Sequence, residues 1–550
     1  MDSGICYLIF LCYTFDMGLT ATSIYEYARQ GLETKRSRVA LWFYGKPLTY
    51  GELFDRIDRA AEELYALGVR RGTVVTIHLP NCPQAVIAVY AAAKLGAVCD
   101  MVHALLPPEG LRESMAFTES RFLITGSHNS RCEELEFAET LLYADFSADM
   151  GAVRRIGYRL QNRPRRPRRG ILFESSAGAG TEFPKPKTLA KECGVYMHSS
   201  GSCGTPKTVM LSHEAMNNWV EITKVYFRKT DLSRQVCLSV LPYFHALGFQ
   251  MDMHRVITCG GTLVQMARWD GKTAAKFIQK YAVTAMAGVP AMCRELLSCR
   301  EFSGAGIRQL RSCFIGGEKM NREIKLAMSE RVGSGEVPCV FEGYGLTETA
   351  SAFAVLERDH YHIDACGYPQ HGITCLVRQE DGTLLREGEG EFVVSGNCLM
   401  MGYLKDPSET ENAMFQWEGK TFLRTGDYGH IDGEGLLYFH ERIKNTIIRK
   451  GNNIFPTKVE EVIRKVDGVA EVCVIGLPDE RYGTEQVCAC VVPKAGMRKE
   501  ALREAVLSQC AKYLLGAAVP GRVIFVEALP RNHMKKVDRP ALMQMIYEQK

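Results

Sequence analysis

The sequence predicts an α/β protein in which a large N-terminal domain of parallel, doubly wound sheets carries a small barrel-like section and is followed by a small α+β C-terminal domain. Three observations predict this. Short β-branched runs alternate with helix-length segments from Val74 onward, residues 375–440 break into short strands separated by glycine turns, and beyond about residue 470 the order becomes strand, strand, helix, strand. The last change puts a boundary near Arg442, with domains over 17–441 and 442–550.

The alternation starts with the strand-like VVTIHL, the helix-like PQAVIAVYAAAKLG and the strand-like AVCDMV, and it resumes in VCLSVL, TLVQM and VTAMAGV. Such an order suits parallel strands joined by crossover helices. The runs GEGEFVVSG and GHIDGEGLLYF read as short strands with tight turns, the mark of an antiparallel section. VCVIGL, EQVCACVV, KEALREAVLSQCAKYL and RVIFVE then supply the elements of the smaller domain.

Composition supports sizeable cores. The 550 residues are 46% hydrophobic and 24% charged, and 67 basic residues nearly balance 63 acidic ones, for a formal charge of +4. This excludes a disordered or fibrous chain, and no global field points to nucleic acid or membrane, so partners must be read locally. The 20 cysteines sit in apolar runs and not in a compact framework, so reduced, buried thiols are expected. Cys488 and Cys490 lie two apart on a strand and lack zinc-site spacing, so no structural metal is expected. The apolar start, Ile5 to Phe15, is a poor signal peptide and too short to span a bilayer. Translation from Met1 and from Met17 both stay open, and a cytoplasmic protein is the expectation. Arg154 to Arg169 holds eight arginines and no acid, and its prolines suggest a solvated loop.

The strongest chemical signal is GVYMHSSGSCGTPKTVMLSHEAM, a strand that enters a Gly/Ser/Thr loop with a lysine and leaves into a helix. Glycines let backbone N–H groups approach phosphate oxygens, hydroxyls add donors, and Lys207 adds a point charge. Pro206 stands where a Walker loop requires glycine.

On these residues and six further motifs the sequence resembles the adenylate-forming superfamily of acyl-CoA synthetases, peptide-synthetase adenylation domains and luciferases, over about residues 20–550. Ser199 to Val209, SSGSCGTPKTV, matches the family's phosphate loop except at Cys203 and Thr208. The resemblance implies that Ser199, Ser200, Gly201, Ser202, Gly204 and Lys207 hold the ATP phosphates. FEGYGLTETAS resembles the Y-G-x-T-E element. That implies Tyr344 stacking on adenine, Thr347 at the phosphates and Glu348 as the magnesium ligand, a hard oxygen beside triphosphate. RSCFIGGEKM makes Gly316, Gly317 and Glu318 candidates for the adenine-site wall. LRTGDYGHID gives Asp427, an acceptor-only carboxylate for the ribose hydroxyls.

ERIKNTIIRKGNNIFPTKVEEVI resembles the segment that links the domains in this superfamily and makes the C-terminal domain mobile. It implies Arg442 at ribose or phosphate, Lys444 at the hinge, and Lys450 and Gly451 in the second half-reaction. Glu441 replaces the family's glycine and Asn445 its aspartate. ALPRNHMKKVDRPAL resembles the closing motif, and the register from Pro530 through Val537 and Arg539 assigns the catalytic lysine to Lys536. His245, in LPYFHALGF, takes the position that orients the substrate carboxylate. Relatives that activate amino acids carry Phe-Asp there, so Phe244-His245 disfavours an amino acid. The acyl pocket is expected from FHALGFQMDM, MAGVPAM and GYGLTETASAF, whose apolar content suits a fatty or aryl tail.

The implied activity is an AMP-forming acid–thiol ligase using ATP, magnesium and coenzyme A, with a small-molecule carboxylic acid as substrate and no nucleic acid partner. An acyl carrier protein as acceptor, a luciferase-like oxygenase and a non-catalytic anion-binding protein stay open as alternatives.

Overall fold

The computed structural model describes residues 20–127, 132–162, 167–175, 180–184, 186, 189–199, 207–227, 230–333, 339–356, 361–449, 452–479, 484–514, 516–531 and 537–548. The apolar start and the reading of Met17 as the first residue lie outside them. The chain groups into two units, Met1–Thr374 with Val394–Leu423, and Cys375–Val393 with Arg424–Lys550. Arg442 lies inside the second.

The first unit holds two mostly parallel sheets. In one, Val74–His78 runs parallel to both Val98–Met101 and Phe122–Gly126, and Val98–Met101 runs parallel to Cys193–Ser199. Helix Pro83–Lys94 makes the crossover between the first two strands. It is apolar on all sides, as a helix with no solvent face must be, and is buried from Pro83 through Ala93. In the other sheet Val236–Ser239 lies between Thr262–Gln265 and Ala285–Gly288, parallel to both. Ser312–Ile315 and Val340–Leu346 continue the parallel order, and Ser351–Val355 returns antiparallel. Leu238, Val264, Met286, Phe302 and Ile315 belong to the core beneath it. In α/β sheets, loops at the carboxyl ends of parallel strands gather binding residues. Here Ser199, the turn from Gly316 to Glu318, and Thr347 with Glu348 all follow such ends.

In the second unit Tyr428 to Ile431 pairs antiparallel with Leu437 to Glu441, as the glycine turns predict. Val469–Asp479 pairs antiparallel with Thr484–Pro493, which pairs parallel with Arg522–Phe525. The period-two alternation sends Val472, Val474, Val487 and Val491 to one face, against Val459, Ile463, Leu502 and Val506. Cys473, Ile475, Leu477, Cys488 and Cys490 go to the other, against Leu542 and Ile546. These cysteines are therefore core side chains, and the described cysteines carry free thiols.

One expectation is corrected. The arginine tract is not a loop in its first half, because Ala152–Asn162 is an α-helix. Arginine is a good helix former, and the first proline of the tract comes only at Pro164, past the helix end. Among the described residues no helix is long and apolar enough to cross a membrane.

Candidate functional site

Two clusters of candidate residues, one in each unit, are described separately. In the first unit, Cys193–Ser199 and Lys207–Ser212 form an antiparallel pair with Ser199 opposite Lys207. Its ends frame the glycine-rich segment, whose Ser200, Gly201, Ser202 and Gly204 lie outside the described residues. A chain of side chains that the motifs did not reveal ties both ends together. Asp100, fully buried on its strand, lies 2.7 Å from His198 Nε2, and His198 Nδ1 lies 3.1 Å from the Thr208 hydroxyl. Thr76 and Thr118 donate to the other carboxylate oxygen at 2.8 and 3.2 Å. A buried carboxylate persists only when hydrogen-bonded, and this one braces the strand that enters the loop.

Lys207 is brought close to Glu348 through one ring. The Lys207 ammonium sits 4.8 Å from the centre of the Tyr403 ring and forms an ion pair with Glu409. The Tyr403 hydroxyl donates to Glu348 Oε1 at 2.9 Å. Gly402 and Tyr403 reach this place because they pair with Val209 and Met210 as a short edge strand. Glu348 and Thr347 occupy a 3₁₀ turn whose carbonyl at Glu348 accepts from Met400 N–H at 2.8 Å. Tyr344 lies on the preceding strand, its ring edge-on to Phe353 with centroids 4.8 Å apart. Gly345 permits the bend: a Cβ there would stand 2.2 Å from the Ser351 carbonyl oxygen.

The turn after Ser312–Ile315 exposes Gly317 and Glu318, and Gly317 has φ +82°. Glu342 fastens it, accepting from Met320 N–H and from the buried Lys325 ammonium, each at 2.6 Å. Behind Gly316 is an apolar cavity of about 30 Å³ lined by Trp219, Phe227, Leu247, Met251 and Phe314 among others. Of the three segments expected to form an acyl pocket, FHALGFQMDM and GYGLTETASAF contribute to this lining and MAGVPAM does not. The missed wall is helix His213–Tyr226, whose Trp219 indole N–H donates to the Ala352 carbonyl at 2.7 Å.

His245 is half-buried and starts the helix Ala246–Phe249, next to Phe244 with ring centroids 4.6 Å apart. The loop leading to it is clamped by Asp252, one of whose oxygens accepts from both Val240 and Leu241 N–H, at 2.9 and 2.8 Å. Burial pushes the Asp252 carboxyl up to about 7, although the two amides and Arg255 oppose it. Because the folded value lies above the unfolded one, the native state holds this proton more tightly. The stability it contributes is complete below about pH 4 and is lost as pH rises through about 7. Asp252→Asn keeps an oxygen for both amides. Its thermal stability relative to wild type should therefore rise between pH 5 and 8, by on the order of 1 kcal/mol or more. A pH-independent difference would refute this.

In the second unit Asp427 and Arg442 face each other across an antiparallel pair, with Arg442 Nε 2.8 Å from the buried Asp427 carboxylate. Thr425 accepts from Asp427 N–H at 3.1 Å and donates to the Phe392 carbonyl, which fixes the turn. Lys444 is exposed. The two departures from the family pattern touch: Asn445 Nδ2 donates to buried Glu441 Oε1 at 3.1 Å. The other Glu441 oxygen accepts from Thr457 N–H and hydroxyl. Lys450, Gly451 and Lys536 lie outside the described residues.

The hairpin that frames the glycine-rich segment, the lysine and glutamate on one tyrosine, and the two mostly parallel sheets all fall within one family match. The family model for AMP-binding enzymes matches residues 28–404, and that for the C-terminal domain of AMP-binding enzymes matches residues 458–536. The chain belongs to the AMP-binding enzyme family. It is 28% identical over 509 residues to the long-chain-fatty-acid–CoA ligase FadD13 of Mycobacterium tuberculosis, covering 90% of this chain and 93% of that one. It is 30% identical over 502 residues to a feruloyl-CoA synthase of an Amycolatopsis species, covering 90% and 93%. Its fold matches ATP-bound MatB from Rhodopseudomonas palustris with a TM-score of 0.82 at 24% identity, covering 95% and 98%.

Proposed function

We propose that the protein is an AMP-forming acyl-CoA ligase for a carboxylic acid with an apolar tail. In this reading the acid's carboxylate attacks the α-phosphorus of ATP and releases pyrophosphate. The thiol of coenzyme A then attacks the acyl-AMP carbonyl, expelling AMP and losing its proton. The single observation that carries the reading is the juxtaposition of Lys207 and Glu348 on Tyr403 beside the phosphate-loop hairpin.

The uncatalysed first step brings two anions together, so positioning and cations are what an enzyme must provide. Lys207 neutralises phosphate charge once it leaves Glu409, and Thr347 adds a hydroxyl. Lys536 is the second cation, at the growing charge. Glu348, a half-buried carboxylate held by the Tyr403 hydroxyl, has the hard-oxygen chemistry to hold a magnesium ion brought in by the nucleotide. That ion supplies positive charge against the triphosphate oxygens. Tyr344 takes the adenine, Gly317 and Glu318 border it, and Asp427 accepts from the ribose hydroxyls with Arg442 beside it. His245 orients the carboxylate. Lys450 and Gly451 serve the thiol step. The relatives named as fatty-acid CoA ligases and feruloyl-CoA synthase support coenzyme A as acceptor.

The cavity behind Gly316 supports an apolar tail and restricts its bulk, since about 30 Å³ holds little more than a water-sized group until its walls move. Hydroxylamine-trapped adenylation across fatty, aryl, dicarboxylic and amino acids, followed by acceptor tests with coenzyme A and a carrier protein, checks the assignment. Small apolar acids should lead. Trp219→Leu should shift the kcat/KM ratio toward the next bulkier acid by about tenfold. Activity confined to amino acids, or no adenylation of any acid, would overturn the proposal.

A further inference from the structure

Helix Ala152–Asn162 faces the wrong way for a helix of a soluble protein. On such helices the apolar stripe normally turns inward and the charged residues outward. Here Tyr158 makes the inward contact: its hydroxyl donates to the Ser127 carbonyl at 3.1 Å, and its ring lies 5.6 Å from that of Phe146. Arg159 locks the same side, pairing with Asp145 at 2.8 Å and donating to the Ser147 hydroxyl at 3.0 Å. Val153, Ile156 and Leu160 are left 85%, 62% and 73% exposed. At the helical turn of about 100° per residue the three fall within a stripe roughly 60° wide, on the side away from Tyr158. Three large aliphatic side chains aligned in water are not the scatter of single apolar residues that any surface carries.

Charge says what covers the stripe. By the same turn Arg159 borders it on one edge, Arg154 and Arg155 lie about 130° from its centre with exposed side chains, and the exposed Arg168 and Arg169 follow. Arg154 keeps its guanidinium 5.8 Å from the Tyr44 ring. No acidic residue occurs between Ala152 and Arg169. An apolar stripe on a helix whose charged residues are all arginines matches a surface with acidic headgroups above and hydrocarbon beneath, because long guanidinium side chains can reach phosphate while the aliphatic chains sink past it. A soluble polyanion would leave the aliphatic chains in water, and a second copy of the chain would bring arginine against arginine.

We infer that helix Ala152–Asn162 docks the protein reversibly on an anionic lipid bilayer, with Val153, Ile156 and Leu160 inserted at the headgroup boundary. The contact is peripheral and independent of the catalytic assignment. The test is flotation of the full chain with phosphatidylcholine vesicles, with and without phosphatidylglycerol. Wild type should float with the mixed vesicles and not with the neutral ones. Val153→Gln/Ile156→Gln/Leu160→Gln, which changes only exposed positions and keeps good helix formers, should weaken binding by about tenfold or more. Arg154→Gln/Arg155→Gln should weaken it comparably and flatten its salt dependence. Both variants should keep the wild-type melting temperature. Failure of wild type to bind mixed vesicles, or equal binding by the triple variant, overturns the inference. So does a concentration-dependent dimer that the triple variant abolishes, or binding to RNA that it leaves intact.

Discussion

Lys536→Ala slows acyl-AMP formation by about a hundredfold or more while sparing thioester formation from supplied acyl-AMP, if the lysine neutralises charge that grows only in the first transition state. Among the described residues that flank it in sequence, Arg531 and Val537 form an isolated antiparallel bridge. Arg539, two residues further on, is anchored in the small sheet by the Val474 carbonyl and by Glu460 at 3.0 Å. Gly451→Leu should give the opposite profile, because a leucine side chain obstructs the thiol arm and leaves the phosphorus chemistry alone. Pyrophosphate exchange, and conversion of synthetic acyl-AMP with coenzyme A, read the two steps separately. Equal loss of both steps in both variants, with folding preserved, would end the assignment of these residues to opposite half-reactions.

Gly345→Ala is expected to depress adenylation by about a hundredfold, since a displacement near 1 Å at positioned groups costs that much. The added Cβ would stand 2.2 Å from the Ser351 oxygen and 2.4 Å from Ala352 Cα, both backbone atoms that no rotamer change can move. The paired strand must shift, and Tyr344, Thr347 and Glu348 shift with it. Gly343→Ala is the control. Its Cβ would meet the Ala352 methyl at 3.3 Å, a contact that small adjustments absorb. Melting temperatures separate lost geometry from lost folding, and wild-type adenylation by Gly345→Ala would disprove the requirement.

Most of the fold was legible because its signals are local. VVTIHL, AVCDMV and VCVIGL became strands Val74–His78, Val98–Met101 and Val469–Asp479, and the all-apolar PQAVIAVYAAAKLG became a buried helix. The helix Ala152–Asn162 was misread because arginine count and prolines pointed to a loop, while its period of Val153, Ile156 and Leu160 pointed to a helix. Motif residues such as Lys207 and Glu348 could be named from sequence, but their partners could not. Tyr403 and Glu409 lie about 200 positions from Lys207, and the edge strand that carries Tyr403 has only two residues. Asp100 looked like one polar residue in a strand, yet it braces His198, 98 positions away. Trp219 reaches the cavity wall from a helix whose sequence reads only as amphipathic.

Glu441 and Asn445 bear on which substitutions the chain tolerates. Glu441 Oε1 accepts from Asn445 Nδ2, and its other oxygen holds Thr457. Restoring aspartate at 445 alone would set one carboxylate against another, and restoring glycine at 441 alone would leave both the asparagine amide and Thr457 without their acceptor. The two positions are coupled through one carboxylate, and a change at either one alone leaves a contact of the other unmet.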